Sequence, residues 1–299
     1  MNCALIGTSK FAEVHLLELI KIGAKKLVII SRNANKWRIL CKKYKSKFPK
    51  VNFEFSKKKI LKEKKFDLID ICTSNNSHDL YLKYIDKSNS IILIEKPIIS
   101  LKKFGKNYKK ILNSIYKNNK RIIVSYPMTY LAKNFKKYFK NSNMQKTFDF
   151  IFKTGGKYNG EYINIDLMPH VLSFISSFFN HRILLKKNLK IKQKKIRKNE
   201  WLSRFSLDKI NFLIALSEKR KQKTSLTIQL NEKKIIRETK IINGRFLNFL
   251  INNNKAILIK NPMNEFFEDL KKNKNRKSFF EKNRKLTYQI MDTNFKFLT

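Results

Sequence analysis

Four aliphatic residues, Ile91–Ile94, run directly into Glu95, Lys96 and Pro97. A continuous apolar run is typical of a strand buried on both faces, and proline ends such a strand because it has no N–H to donate. A charged pair is costly to bury, so it needs a reason to follow a central strand at the edge where open α/β sheets bind ligands. Lys96 is therefore a catalytic candidate that would donate to a substrate oxygen, and Glu95 would brace the turn.

A second pair of candidates, Asp166 and His170, is spaced four residues apart, which places both side chains on the same side of a helix. We expect this helix over residues 167–179, with Pro169 marking its start. Histidine is the usual base near neutral pH, so His170 would take the proton of a hydroxyl whose carbon exchanges hydride. Asp166 would hold the imidazole or a substrate hydroxyl.

The beginning of the chain contains a variant of the fingerprint with which a strand and a helix bind a dinucleotide: residues 4–12 read ALIGTSKFA. Gly7 would permit the tight turn, Ser9 replaces the second glycine, and Ala12 is small enough for close packing of helix against strand. The helix N-terminus would then face the pyrophosphate with unpaired N–H groups. The contacts predicted here are Gly7, Thr8, Ser9, Lys10, Phe11 and Ala12.

The end of the second predicted strand indicates which nicotinamide cofactor is preferred. An NAD-binding protein usually has an acid there for the ribose hydroxyls, whereas this chain has Ser31 and Arg32 followed by Asn33. A hydroxyl and a guanidinium suit a 2′-phosphate. We therefore expect NADP(H) to be preferred, with NAD(H) as the alternative.

These candidates need a sheet that brings strand ends to one edge. Apolar runs alternate with helical periodicity up to residue 126, which predicts a parallel α/β Rossmann sheet with right-handed crossovers. Residues 101–118 are predicted to be helical. The pattern then changes to helices and several strand-like runs, which predicts an α+β domain with a large, mostly antiparallel open sheet. The expected domains are residues 1–126 and 127–299. Strands of the second domain are predicted at 146–153, 183–191, 210–217, 224–230, 234–241, 246–251 and 256–259.

In this order, four motifs resemble the glucose-fructose oxidoreductase / inositol dehydrogenase family (Gfo/Idh/MocA). They are Gly7-x-Ser9-x-x-Ala12, DLIDICTSNNSH at 67–78, EKP at 95–97 and GEYINIDLMPH at 160–170. The resemblance implies an NAD(P)-dependent dehydrogenase or reductase that acts on the carbinol carbon of a sugar, sugar nucleotide or cyclitol. It implies cofactor contacts at Thr73, Asn75, His78, Glu95 and Lys96, and catalytic roles for Lys96, Asp166 and His170. It also implies a homo-oligomer.

Two departures from the family pattern affect the substrate prediction. Thr129 stands where relatives often have an arginine, and Met168 stands where a glycine is usual. The alternatives are therefore an NADPH-dependent reductase of a C=N or C=C bond, or a cofactor-binding protein that has lost turnover. Retention of Lys96, Asp166 and His170 favours the sugar-type reaction.

The charge of the chain is extreme, with 67 Lys and Arg against 22 Asp and Glu and a formal net charge of +45. Basic residues lie along nearly every segment rather than in one stripe, and no nucleic-acid-binding motif is present, so no specific nucleic acid is expected. The positive field would favour an anionic substrate.

Scattered cysteines, with no CxxC pair among the 3 in the chain, predict reduced thiols and no metal site. No apolar run is long enough to cross a bilayer and the N-terminus lacks signal-peptide features, so we expect a cytoplasmic protein without membrane association.

Overall fold

A computed structural model describes the chain except for residues 86–88, 140–146, 180–188, 208–209, 243–244 and 254. The backbone forms two compact units. Unit 1 comprises Met1–Ser125 and Phe266–Thr287, and unit 2 comprises Tyr126–Glu265 and Tyr288–Thr299. The helical segment 266–287 groups with unit 1, which its position near the end of the sequence did not indicate.

Over the described residues, unit 1 contains a six-stranded sheet in the order β3-β2-β1-β4-β5-β6, and each neighbouring pair is parallel. The chain order reverses between β1 and β4, which is the switch point where open α/β sheets bind ligands. The strands are β1 (Asn2–Ile6), β2 (Lys26–Ile30), β3 (Asn52–Ser56), β4 (Leu68–Ile71), β5 (Ile91–Ile94) and β6 (Ile122–Val124).

The strand β5 shows why these runs form a central sheet. All four of its residues are buried, and it lies between β4 and β6. Burial of both faces explains the absence of alternation in its sequence. The strand ends at Ile94, before the proline, as the sequence predicts.

The helices of unit 1 follow its strands. They are α1 (Lys10–Lys21), α2 (Ala34–Lys45), α3 (Ile60–Glu63), α4 (His78–Tyr84), α5 (Leu101–Phe104) and α6 (Tyr108–Asn118). The stretch 101–118 that the sequence predicts to be helical consists of α5 and α6, separated by a 3-10 turn at Gly105–Asn107. Gly105 has φ +47°, a conformation that an α-helix does not contain and that glycine tolerates.

Unit 2 is built on a second sheet, which has eight strands over the described residues, in the order β14-β13-β12-β11-β7-β10-β9-β8. Its pairs are antiparallel except β7 with β10, which is parallel. The strands are β7 (Thr147–Thr154), β8 (Lys190–Arg197), β9 (Glu200–Leu207), β10 (Ile210–Glu218), β11 (Ser225–Leu230), β12 (Lys233–Ile242), β13 (Arg245–Asn252) and β14 (Lys255–Ile259). The predicted fold class, a parallel Rossmann sheet followed by a mostly antiparallel sheet, is confirmed.

Two strands of the second sheet differ from the prediction. Most of the predicted strand at 183–191 lies outside the described residues, and the observed β8 continues to Arg197 with every residue exposed. The strand β9 was not predicted. Its inward positions include Ser203, which is fully buried and donates to the Gln193 carbonyl oxygen at 3.2 Å, so the apolar alternation is interrupted there.

The remaining helices are α7 (Met128–Lys136), α8 (Glu161–Phe178), α9 (Pro262–Asn273) and α10 (Lys277–Leu298). The helix α8 packs on β7 through aromatic pairs in register: Phe178 lies against Phe148, and Phe174 against Phe150, with ring centroids 5.5 and 5.3 Å apart. Because α8 begins at Glu161, the predicted start near residue 167 is wrong, and Pro169 lies inside the helix. Proline there leaves a carbonyl one turn earlier without its helical donor.

Candidate active site

The turn after β1 has the geometry that the fingerprint requires. Gly7 has φ +126°, and its N–H donates to the Ile30 carbonyl oxygen at 3.0 Å. A Cβ atom at this position would collide with the carbonyl oxygen of Cys72, the residue that follows β4. Glycine is therefore necessary where the ends of β1 and β4 meet.

The N-terminus of α1 carries free donors beside this turn. Ser9 is the N-cap, and its hydroxyl accepts from the Ala12 N–H at 3.1 Å. The N–H groups of Lys10 and Phe11 have no hydrogen-bond partner among the described residues. Both of these side chains are exposed, whereas Ala12 is fully buried. With Ser9 in place of the second glycine, the N–H of Ala12 is used by the cap. The N–H groups of Lys10 and Phe11 remain and suit a pyrophosphate.

The end of β2 lies next to this turn. The hydroxyl oxygens of Thr8 and Ser31 are 3.2 Å apart, and the Ser31 hydroxyl accepts from the Asn33 N–H at 3.0 Å. Asn33 in turn caps α2 by accepting from the Lys36 N–H at 3.1 Å. Arg32 is exposed between these ordered residues. A hydroxyl and a guanidinium, and no carboxylate, therefore stand at 31 and 32.

The turn after β4 is fixed by hydrogen bonds to two residues of the predicted site. The Ser77 hydroxyl donates to the Thr73 hydroxyl oxygen at 3.0 Å, and Asn75 opens the 3-10 turn Asn75–Ser77. His78 is fully buried, with Nε2 3.1 Å from the Thr73 carbonyl oxygen and Nδ1 3.0 Å from that of Pro97. Burial lowers the pKa of His78, and a neutral imidazole donates to only one of these carbonyls. His78 thus links the turns after β4 and β5, and its predicted contact with cofactor stays a prediction.

A buried charged cluster of Asp70, His15 and Glu95 lies beneath the turn after β5. Nδ1 of His15 is 2.8 Å from a carboxylate oxygen of Asp70. Its Nε2 is 3.1 Å from a carboxylate oxygen of Glu95, which is close enough for an ion pair although the pair is not aligned as a hydrogen bond. The imidazole packs between Phe11 and Phe267, with centroids 5.0 and 5.3 Å away. We name Asp70, His15 and Glu95 the buried triad.

Electrostatics make the triad a cation held between two acids. Burial opposes the charge of His15, but Asp70 and Glu95 together outweigh it and raise the His15 pKa to about 10. Burial also raises the pKa of Asp70. At Glu95, burial acts in the same direction, but His15 and Lys96 outweigh it and lower the pKa of Glu95. The Glu95 carboxylate is therefore fixed immediately before Lys96, which is half-buried and followed by a cis peptide bond to Pro97.

In unit 2, Asp166 and His170 are both half-buried on α8 and one helical turn apart. The His170 ring lies edge-on to Phe152, with centroids 6.1 Å apart. This contact continues the register of α8 on β7, so His170 is positioned by the same packing as the aromatic core. Lys96 belongs to unit 1 and His170 to unit 2, and their convergence on one substrate carbon stays a prediction.

Two residues near Asp166 were not predicted from the sequence. The carboxylate of Glu218, which is buried, accepts from the Tyr158 N–H at 2.7 Å and occupies the space beside Gly156. Burial, followed by the carboxylates of Asp166 and Glu218, raises the pKa of Tyr158. The only sequence signal for Glu218 is an acid at the end of an apolar strand, which also fits a solvated turn.

The motif geometry of unit 1 agrees with the result of a comparison with protein families. Residues 1–126 match the model described as "Oxidoreductase family, NAD-binding Rossmann fold", the Gfo/Idh/MocA family. The match covers less than half of the chain and is a similarity of this first part to that family. The match agrees with a nucleotide-binding role for this stretch.

Solved structures with this fold extend the similarity over the whole chain. A UDP-N-acetylglucosamine 3-dehydrogenase from Acidithiobacillus ferrooxidans is 11% identical, with a TM-score of 0.63 and coverage of 98% of this chain and 96% of that one. A 3-ketoreductase from Actinomadura kijaniata in complex with NADP is 7% identical, with a TM-score of 0.67 and coverage of 96% and 94%. A biliverdin reductase from Synechocystis, in complex with biliverdin and NADP+, is 11% identical, with a TM-score of 0.64 and coverage of 99% and 98%.

At these identities the similarity shows the fold alone. A comparison with curated proteins finds no match to this sequence. Among the described residues, no helix combines the length and the apolar character that crossing a membrane would require.

Proposed function

We propose that the protein is an NADP(H)-preferring dehydrogenase or reductase that acts on the carbinol carbon of a sugar, sugar nucleotide or cyclitol-like polyol. The observation that carries this proposal is the carboxyl edge of the unit 1 sheet. There, unpaired N–H groups of α1 lie beside Gly7, and a hydroxyl and a guanidinium follow β2 in place of an acid. The solved structures with NADP support the cofactor class.

Each part of this edge would bind a different part of the cofactor. The α1 N-terminus would bind the pyrophosphate, with Gly7 allowing close approach and Lys10 adding positive charge. Ser31 and Arg32 would bind the ribose 2′-phosphate. Thr73 and Asn75 would lie nearer the nicotinamide. When bound, the cofactor supplies or accepts the hydride.

The chain's own residues would handle the proton and the developing charge. His170 would take the hydroxyl proton during oxidation and return it during reduction, and Asp166 would orient either this imidazole or a second substrate hydroxyl. The Lys96 ammonium would donate to the substrate oxygen and stabilise its partial negative charge. Because Glu95 is held by the triad, the residue before Lys96 has little freedom to move. The resemblance to the family supports these three roles.

A titration of NADPH and NADH by fluorescence tests the cofactor assignment. We expect the wild type to bind NADPH at least tenfold more tightly than NADH, and Arg32→Asp to reverse this order, because an acid would repel the 2′-phosphate. Arg276→Asp is the matched control, since Arg276 is exposed and close in sequence to Lys274, whose ammonium contacts Met1 at the opposite edge of the sheet. Equal binding of both cofactors, or of neither, would refute the assignment.

Kinetics of Lys96→Met, His170→Asn and the double variant test whether the two residues serve one reaction. If they do, the loss in kcat of the double variant will be smaller than the product of the single losses. Tight NADPH binding without turnover on a panel of sugars, sugar nucleotides and cyclitols would instead favour the protein that has lost catalysis. The cytoplasmic location and the homo-oligomer remain predictions.

A further inference from the structure

A second, partly buried cation, Arg237, lies in unit 2, on the side of the sheet that α8 covers. Directly opposed residues of neighbouring antiparallel strands point to the same side of a sheet. Phe152 of β7 pairs with Leu226 of β11, which pairs with Arg237 of β12, so all three side chains lie on one side. The ring of Phe152 contacts His170 of α8. Arg237 therefore shares this surface with His170, two strands away.

The partners of Arg237 are neutral. Its Nε and Nη2 donate to Oδ1 of Asn248 at 3.2 and 2.6 Å, and the Thr239 hydroxyl donates to the same oxygen at 3.0 Å. Three donors identify this atom of Asn248 as the oxygen, because arginine cannot accept a hydrogen bond. Asn248 is almost completely buried, whereas Arg237 keeps part of its surface exposed. We name Arg237, Thr239 and Asn248 the arginine cluster.

No carboxylate among the described residues pairs with this guanidinium. The nearest acid along β12, Glu238, points to the opposite side of the sheet, where its carboxylate lies 4.0 Å from Nζ of Lys223. Burial lowers the pKa of Arg237 to about 10, which still leaves it charged at neutral pH. A partly buried charge without a counter-ion is costly, and a ligand of opposite charge would remove that cost.

Apart from the Thr239 hydroxyl oxygen, which can still accept, the remaining hydrogen-bonding capacity of the cluster consists of donors. Nη1 of Arg237 and the amide NH₂ of Asn248 have no acceptor among the described residues. A planar guanidinium with an adjacent amide NH₂ matches the oxygens of a phosphate or a carboxylate. We propose that the arginine cluster binds an anionic group, phosphate or carboxylate, of the substrate. The assignment of this anion to a substrate rests on the function proposed above, whereas the binding of an anion by the cluster does not.

The spacing suits a substrate with its anionic group at one end. Two strand spacings separate Arg237 from Phe152, which is about 10 Å between their backbones. A molecule that reaches from His170 to the arginine cluster would therefore carry its anion several bonds away from the reacting carbon. A sugar phosphate, a sugar nucleotide and a sugar acid have this form, whereas an uncharged polyol does not use the cluster.

Calorimetric titration with inorganic phosphate and, separately, with acetate tests the anion site at a salt concentration of about 0.3 M, where non-specific attraction to the basic surface is screened. Arg237→Met removes the charge. Asn248→Asp retains the shape and supplies an internal counter-ion to Arg237, so it covers the case in which Arg237→Met does not fold. Arg204→Gln is the control, because Arg204 is exposed on the opposite side of the same sheet.

We expect Arg237→Met and Asn248→Asp each to raise the Kd of the tighter-binding anion at least tenfold, and Arg204→Gln to change it less than twofold. Equal losses in Arg204→Gln and Arg237→Met, unchanged affinity in both cluster variants, or no saturable binding to wild type would overturn the proposal. The same proteins titrated with NADPH separate the two hypotheses. Phosphate binding that depends on Arg237, in a protein that does not bind NADPH, would retain this site and remove the proposed function.

Discussion

Each unit holds a cation that is at least partly removed from solvent, His15 in unit 1 and Arg237 in unit 2, but the two cations are neutralised differently. In unit 1, His15 lies between two carboxylates, and the charge is satisfied within the chain. In unit 2, the neutral Asn248 is the acceptor that Arg237 has within the described part of the chain. The first arrangement is complete and fixes the turn that carries Lys96. The arginine cluster has a positive charge and hydrogen-bond donors that the described residues do not satisfy, which favours ligand binding over a structural role.

The largest difference should appear when each cation is removed. His15→Leu leaves Asp70 and Glu95 buried without their shared partner, so we expect the free energy of unfolding to fall by about 3–5 kcal/mol. Arg237→Met removes an unpaired charge and should change it by less than about 1 kcal/mol. Urea denaturation followed by circular dichroism measures both. Combining His15→Leu with Asp70→Asn and Glu95→Gln should recover most of the loss, and failure to recover would mean that packing of the ring, rather than charge, is what His15 contributes.

The catalytic candidate above the triad gives the next effect. Lys96→Met should lower kcat by about 10²- to 10³-fold, because the developing charge on the substrate oxygen loses its donor. Stopped-flow measurement of NADPH oxidation or formation with the best substrate of the panel provides the rate. Lys106→Met, at an exposed position of unit 1, is the control. Similar losses in both variants would remove Lys96 from the chemistry.

The paired cation also predicts a pH dependence of stability. The pKa of His15 rises from 6.5 in the unfolded chain to about 10 in the folded one. Its stabilisation is therefore complete below pH 6.5 and is lost as the pH rises toward 10. The difference in unfolding free energy between the wild type and His15→Leu should shrink over this range. Asp70 and Glu95 face the same ring and carry the opposite charge, and Lys96 acts on Glu95.

Two buried thiols titrate in the same range and need a control. Burial raises the pKa of Cys3 to about 12 and that of Cys72 well above its ordinary value, so both thiols stay protonated in the folded state while they ionise in the unfolded one. They too lower stability as the pH rises through about 9. Measuring both proteins in a Cys3→Ala, Cys72→Ala background isolates the contribution of His15. A difference that stays constant from pH 6 to 10 would contradict a charged triad.

The smallest effects come from single neutral hydrogen bonds in each region. Ser9→Ala removes the N-cap of α1, and Thr239→Val removes one of three donors to Asn248, so each should cost about 1 kcal/mol of unfolding free energy. Thermal denaturation measures both. Thr239→Val should also weaken phosphate binding less than Arg237→Met does, since it leaves the guanidinium in place. A stronger effect than that of Arg237→Met would assign the binding to the hydroxyl.

The cofactor edge could be predicted from the sequence because its determinants are local. Gly7 and the helix cap follow β1 within a few positions. The residues after β2 lie at the same edge because β1 and β2 are neighbouring parallel strands. The buried triad could be predicted only in part. Glu95 stood out, whereas His15 and Asp70 come from different elements and meet through the packing of α1 on the sheet.

The polar residues of unit 2 were harder to predict. Arg237, Thr239 and Asn248 become neighbours only through the pairing register of β12 and β13, and a shift of one residue would place them on the other side. The pairing register of two strands depends on the packing of whole sheet faces, so it cannot be read from the sequence of one segment. Pro169 illustrates a different limit, since the rule that proline begins helices was overridden by the packing of α8 on β7.

The edge strand β8 gives the unusual charge of the chain a physical consequence. Among the described residues it is the last strand of the second sheet, so its outer edge has no neighbouring strand there. Its sequence, KIKQKKIR, is exposed throughout and carries five cations. Two copies that approached along this edge would bring these cations together, so mutual repulsion guards the protein against aggregation by strand addition.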